Sequence, residues 1–529
     1  MSKGKSDKIT YKPYEQHQAF LIPPSAEELI PKDHLVRLVS EVIDEKGIEQ
    51  LMRKYQAGGG ASRYHPVMMT KLFVYGYMTK VCSSRMLAKA ARENVTFMWL
   101  AGNQKPDFRT LNDFRGKLLK GVIEEIFVTA VKMLAAKGYI KLEHYFVDGT
   151  KIESASGRYT FVWKKAVETN NKKLDEKLRA YIRMVDEVWE EENDEYGNRD
   201  LEEMGGKDGY TSADVKELSG ILRERLERMD DEESKKKLKK EVKTIEKDYL
   251  PRKKKYEKAK RICGKRNSYS KTDPDATFMR MKEDHMRNGQ LKPDYNVQTG
   301  TENGFVAGYD VFPNPADTKT LKPHLRRQAK RLGVKPKVVI ADAGYGGQEN
   351  YAYLENQRTV AVIKYGMYRK EESRKWKTDG FKTDNWEYNK KGKYYVCPAG
   401  RQLTYTETKK RETDSGYPIT ADKYECESCK YCRLKKRCTK AKGNRTVERN
   451  ERWLRLKRKA QRVLKDERYV ELRKQRSVEV ETVFGQIKGN QGYRRFLLRG
   501  TAKVSTGWGL LALGYNLKQI YRLNREDTA

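Results

Sequence analysis

The spacing of apolar residues changes character several times along the chain. From about residue 10 to 140 it is helical, as with Leu35, Leu38 and Val42 in PPSAEELIPKDHLVRLVSEVIDE. Ser25 with Glu28 three residues on reads as a capping box, Thr110 as a further cap and Gly102 as a stop. HYFVDGTKIES follows, and its aromatic and β-branched residues 144–147 predict a strand. From 164 to 262 charge is dense and the few apolar residues are periodic. Leu174, Leu178, Tyr181, Val185 and Val188 form one set; Val215, Leu218, Leu222, Leu226 and Met229 a second; Leu238, Val242, Ile245 and Tyr249, before Pro251, a third. Such spacing predicts long helices folded back as a coiled-coil arm, a solvated insertion without chemistry of its own.

Strand patterns then return. DYNVQTG (294–300) and FVAGYDVF (305–312) flank TENG, which predicts a hairpin turning on Asn-Gly. DTKTLKPHLRRQAKRLG reads as a helix capped by Asp317 and stopped by Gly333. KVVIADAGYGG gives a short strand, QENYAYLENQ a helix and TVAVIKY (359–365) another strand. That order is the order of an α/β fold, a mixed sheet with helical cover, to which HYFVDGT supplies the first strand across the insertion. Residues 366–470 form a second insertion, polar and basic, and the tail from about 466 is helical again. The chain therefore divides into an all-helical domain, 1–140, and an α/β domain, 141–529, interrupted by the 164–262 arm and the 366–470 Cys-rich insertion.

Charge narrows the function. Of 529 residues 111 are Lys or Arg and 74 Asp or Glu, a formal net charge of +37. A balance that positive points to a polyanion, with counterion release from a phosphate backbone driving binding. No signal-peptide pattern opens the sequence and no run of about 18 apolar residues occurs, so the expectation is a cytoplasmic protein without a membrane segment. Seven cysteines then favour metal or free thiols over a disulfide framework.

Two apolar strands end on carboxylates: YFV on Asp148 and VVIA on Asp342, each before glycine-containing sequence. Taken singly, a strand-end aspartate reads as a turn or cap residue. Together, on neighbouring strands, two of them repel unless a cation lies between. Glu481 in VETVFGQIK, with Lys488 on the same helical face, adds a third carboxylate and a cation for phosphate. Hard oxygen donors of this kind suit Mg²⁺, and two such ions activate the attacking oxygen and stabilise the leaving oxygen in phosphoryl transfer.

YFVDGTKIES, VVIADAGYGG and VETVFGQIKGNQGYRRFLLRG resemble, in order, the three catalytic segments of DDE transposases of bacterial insertion sequences, nearest the insertion-sequence eleven-eighty-two type. The helical N-terminal block, SKTDPDATF (270–278) and the CPAG and CESCKYC cysteines share the resemblance; the arm does not. The resemblance implies an RNase-H-like core, with Asp148, Asp342 and Glu481 as a catalytic triad holding Mg²⁺ or Mn²⁺. It implies double-stranded DNA partners, both terminal inverted repeats and target, a homodimer on paired ends, and association with the nucleoid when bound. Where related transposases often carry an arginine four residues before the glutamate, this chain has Ser477, with Arg476 one residue earlier. Lys488, Arg476, Arg494 and Arg495 are the expected phosphate-binding residues, and Tyr493 beside them could stack a flipped base. A turn packing Phe496, Leu497 and Leu498 into the sheet is the plainer reading of the same tail. Two other readings of the whole chain stay open: a catalytically inactive, domesticated DNA-binding copy, and a general nuclease of the same fold.

Cys426, Cys429 and Cys432 run C-x₂-C-x₂-C, with Cys438 beyond and Cys397 upstream, one more than the four thiolates of a structural Zn²⁺. Reduced thiols or an iron–sulfur cluster are the alternatives. Asp273 and Asp275 in TDPDA either support metal or cap a turn.

Overall fold

The computed structural model describes residues 25–45, 64–188, 207–281 and 290–526. Parts of the predicted helical block (10–24 and 46–63) and of the arm's turn-rich centre lie outside these residues. The chain divides into two units, residues 1–119 with 520–529, and residues 120–519.

The first unit is helical: α1 (Leu35–Glu45), α2 (Pro66–Met78), α3 (Ser84–Glu93), α4 (Val95–Leu100) and α5 (Phe108–Asp113). α2 is buried almost all round, as its apolar composition requires. Side chains of Ser83, Asn94 and Asp107 accept the first free amides of α3, α4 and α5. The cap of α5 is therefore Asp107, with Thr110 inside the helix. Ser25 Oγ does accept from Glu28 N (3.3 Å), but it closes a turn, and helix begins only at Leu35. Arg115, 3% exposed, donates to Tyr77 Oη (3.2 Å) and the Cys82 carbonyl (2.8 Å).

In the second unit α6 (Val122–Ala136) leads into β1 (His144–Glu153). β2 (Phe161–Trp163) follows, then the arm: α7 (Lys164–Val188), α8 (Ser212–Arg228), α9 (Glu232–Thr244) and α10 (Leu250–Cys263). β3 (Ser268–Ser270) pairs with β2, and β4 (Thr277–Arg280), β5 (Leu291–Glu302) and β6 (Phe305–Phe312) come next. α11 (Leu321–Leu332), β7 (Val338–Ala341), α12 (Gln348–Asn356) and β8 (Val360–Ile363) complete the main α/β part.

The main sheet has the order β4-β5-β1-β7-β8, with β6 beside β5. β1 is antiparallel to β5 and parallel to β7, and β7 is parallel to β8. The β5–β6 hairpin turns on Asn303 and Gly304, both at positive φ (51° and 74°), as Asn-Gly turns require. Alternation along β1 sends Tyr145 and Val147 to one face, where they pack with Leu321, Leu325, Tyr351 and Leu354. Phe146 faces the other way and packs with Val338, Ile340, Leu464 and Val480. Leu464 and Val480 belong to α13 (Glu451–Lys465) and α14 (Glu467–Phe484).

The arm is a packed helical bundle. Leu174, Leu178, Ile182, Val215, Leu218, Leu222, Leu238, Val242 and Ile245 form its core. Between α7 and α10 the buried Lys253 and Asp175 form an ion pair, and Asn171 Nδ2 also donates to Asp175 (2.8 Å). Pro251 lies inside a continuous helical stretch, just after the π turn Ile245–Tyr249 that carries α9 into α10, so its missing amide falls at a local irregularity of the helix. The second insertion carries its own sheet: β9 (Glu387–Asn389), β10 (Tyr394–Val396), β11 (Gln402–Glu412), β12 (Pro418–Cys426) and β13 (Thr446–Arg449), in antiparallel order. The last helix is α15 (Thr501–Glu526). Among the described residues no helix is long and apolar enough to cross a membrane.

Candidate active site

Register places the two aspartates. Val147 of β1 stands opposite Ala341 of β7 in parallel pairing, so Asp148 and Asp342 are the next residues on adjacent strands. Asp148 is 8% exposed; its Oδ1 accepts from Gly149 N (2.8 Å), and its Oδ2 lies 3.5 Å from Arg476 Nη1. Asp342 is half-buried, and its Oδ1 accepts from Gly344 N (2.8 Å), which shapes the turn after β7.

Behind them lies a polar network on the other face of β1. Tyr345, fully buried, donates to Gln298 Oε1 (2.6 Å). Asp317 Oδ1 accepts from Asn296 Nδ2 (2.7 Å) and Gln298 Nε2 (3.1 Å). Thr318 Oγ1 donates to the Gly344 carbonyl (2.6 Å), tying this loop to the Asp342 turn. Burial pushes the Tyr345 hydroxyl well above its ordinary range, and the nearby charges of Asp317, Asp148 and Asp342 add to it. Gly149 makes the approach possible. A Cβ there would lie 2.5 Å from Asp317 Oδ1 and collide with Gln298 Nε2. Asp317 is thus the residue that sequence reasoning misplaced. It caps no helix, because α11 starts at Leu321; it is held by amides from β5 beside the first aspartate. The Gly after Asp148 was the available signal.

Glu481 is on α14, whose Val480 and Val483 are buried. The same helix carries Arg476 to Asp148, but Glu481 is exposed. Among the described residues no group of three or more His, Cys, Asp or Glu stands close enough to hold a metal ion. Asp148 sits inside β1, which runs on to Glu153, and not at the strand end that the sequence predicts, while Asp342 directly follows the last residue of β7. Glu479 points elsewhere: its carboxylate accepts from Gly304 N (2.9 Å), and burial raises its pKa.

The basic residues separate into two kinds. Lys488, in the helical turn Gly485–Asn490, is half-buried and acts electrostatically on Asp294. Arg494 is exposed, with Nε 3.4 Å from the Lys488 carbonyl. Arg495 instead donates to the carbonyls of Ser154 (3.0 Å) and Ser156 (2.8 Å), and Arg499 to that of Ala155 (2.7 Å). These two clamp the segment after β1. Tyr493 is 7% exposed and packs edge-on against Phe496, so its ring is part of the core and not a platform for a base. Of the tail's three apolar residues only Phe496 is fully buried; Leu497 is 45% exposed. Asp273 and Asp275 accept from Gly500 N (3.0 Å) and Thr501 N (2.8 Å), so TDPDA anchors the start of α15.

All seven cysteines are free thiols. The five of the second insertion line one cavity beside its small sheet.

No curated protein and no solved structure matches the chain. Two family models do: residues 24–117 match the one described as Transposase domain (DUF772), and residues 396–521 the one described as Transposase DDE domain. The second match covers Glu481 and Lys488, and with the mixed α/β sheet it suggests an RNase-H-like core. Together the two matches support a DDE transposase.

Proposed function

We propose that the protein is a metal-dependent DNA transposase that cleaves and joins strands at the ends of its own insertion sequence, of the eleven-eighty-two type. The observation that carries the chemistry is the parallel register of β1 and β7, in which the residues just before Asp148 and Asp342, Val147 and Ala341, are partners. The second support is a net charge of +37, suited to duplex DNA with two ends and a target.

Carboxylate oxygens suit a hard cation. In this reading Asp148, within β1, and Asp342, just after β7, are two ligands and Glu481 on α14 is the third, so α14 has to bring Glu481 toward the ion. Mg²⁺ or Mn²⁺ held there would supply Lewis-acid activation of water or a 3′-hydroxyl and charge stabilisation at phosphorus. Arg476 now provides the positive charge facing Asp148 and would turn to phosphate when a cation takes that role. Asp317, Gln298 and Tyr345 hold the backbone beside both aspartates in place. Lys488 and Arg494 bind the DNA backbone, the 24–117 region takes part in end recognition or assembly, and two copies act on paired ends.

Duplexes carrying the element's ends, incubated with Mg²⁺ or Mn²⁺, test the reading. Cleavage followed by strand joining is expected from the natural chain and from none of Asp148→Ala, Asp342→Ala and Glu481→Ala. Cleavage without joining would indicate a nuclease, and binding without cleavage an inactive DNA-binding copy.

A further inference from the structure

The transposase reading gives no role to the cysteines at 397–438. They come from separate places in the second insertion. Cys397 follows β10 and opens a tight turn closed by Gly400 N on its carbonyl (2.8 Å). Cys426 ends β12, opposite Leu403 of β11. Cys429 and Cys432 lie in the turns beyond it, and Cys438 ends the single helical turn Lys435–Cys438.

All five line one cavity of about 20 Å³, together with Phe381, Leu434 and basic residues. A space of that size admits about one small guest. Cys429 Sγ accepts a backbone amide from Arg445 N (3.2 Å), and Cys426 Sγ donates to the Ser428 carbonyl (3.5 Å).

The core beside the cavity is thin: Trp386, Tyr395, Leu403, Tyr424 and Val447 with Cys426 and Cys429. Cys397 and Cys438 pack against the same cluster, and Cys432 does not. A small sheet with so little apolar content gains most from a metal clip. We propose that Cys397, Cys426, Cys429 and Cys438 bind one structural Zn²⁺ in this cavity, with Cys432 as the spare thiol. Among the described residues no group of three or more His, Cys, Asp or Glu stands close enough to hold a metal, so the site requires the turns that carry these cysteines to close on the ion. Binding releases four thiol protons, and Arg401, Lys435 and Arg445 around the cavity offset the resulting negative charge. The site is independent of the Asp148–Asp342 chemistry.

The test uses the full chain, purified without chelator. Elemental analysis is expected to find one zinc per chain, and Co²⁺ exchange to give a thiolate-to-cobalt absorption band. Cys429→Ser is expected to reduce zinc content at least tenfold, while Cys432→Ser and the remote Cys263→Ser retain it. Because Cys429→Ser could simply unfold the insertion, the natural chain gives a second readout. Zn²⁺ should protect Cys397, Cys426, Cys429 and Cys438 from alkylation and leave Cys432 reactive, as mapped by mass spectrometry. Iron in place of zinc, no metal with equal alkylation of all five thiols, or protection of Cys432 in place of one of the four would overturn the assignment.

Discussion

A methyl group at residue 149 has nowhere to go, because Asp317, Gln298 and Asn296 fill the space in front of that backbone. Gly149→Ala should therefore cost about 1–3 kcal/mol of stability, as overpacking does. It should also displace Asp148 and reduce DNA cleavage well beyond that loss, read as single-turnover rate against thermal melting. Asp294 makes a second residue-scale case. It is fully buried on β5, neither carboxylate oxygen has a hydrogen-bond partner among the described residues, and burial, reinforced by Glu153, holds its pKa well above the ordinary range. A carboxyl raised in the folded state stabilises most below its unfolded pKa of about 4, and that contribution is lost as pH rises toward the folded value. Asp294→Asn should accordingly melt higher than the natural chain at pH 8, with the gap closing toward pH 4; a constant gap would contradict the account. An apolar run broken by a carboxylate is a local pattern that marks Asp148 and Asp342 in the sequence, but only Asp342 follows a strand end, since β1 continues past Asp148 to Glu153. Asp317 carried no such mark, since its partners Asn296 and Gln298 come from a strand about twenty residues earlier and are joined to it only by the fold.

Elements were read most securely where periodicity and punctuation agree. The β5–β6 hairpin was legible from two strand patterns around Asn-Gly. Pro251 shows how a breaker misleads: it follows the last periodic residue in sequence, but the helix runs through it by way of the π turn Ile245–Tyr249. The arm's periodic leucines were visible, but its buried ion pair was not, because Lys253 and Asp175 lie on different helices, in sequence resembling the solvated charge around them. With side chains 2% and 10% exposed, the pair ties α7 to α10 inside the bundle. Lys253→Ala should destabilise the arm by about 3–5 kcal/mol by leaving Asp175 buried without its counter-charge. The double variant Lys253→Met with Asp175→Leu should recover most of that loss, measured by hydrogen exchange across α7 and α10. Equal loss in both would mean that the pair, and not the uncompensated charge, carries the stability.

For the whole molecule, a net charge of +37 predicts DNA binding that weakens steeply with salt. The two kinds of basic residue near the site should differ. Arg494→Ala should lower the slope of log K against log salt by about 1. Arg495→Ala should leave that slope nearly unchanged and lower the melting temperature, because its guanidinium holds the Ser154 and Ser156 carbonyls. The sequence showed strands and helices in order, but which strands become neighbours is settled by long-range pairing, and that pairing is what brings the aspartates together.

The central claim is that these two aspartates, with Glu481, serve DNA strand transfer. Its most direct test is plasmid DNA carrying the gene with its natural flanks, incubated with purified protein and Mg²⁺ or Mn²⁺, with 3′-ends mapped beside an Asp342→Ala control. The account predicts metal-dependent breaks at the element's boundaries that the variant does not make. Tight binding with no breaks under either metal, or breaks that persist in Asp342→Ala, would contradict it.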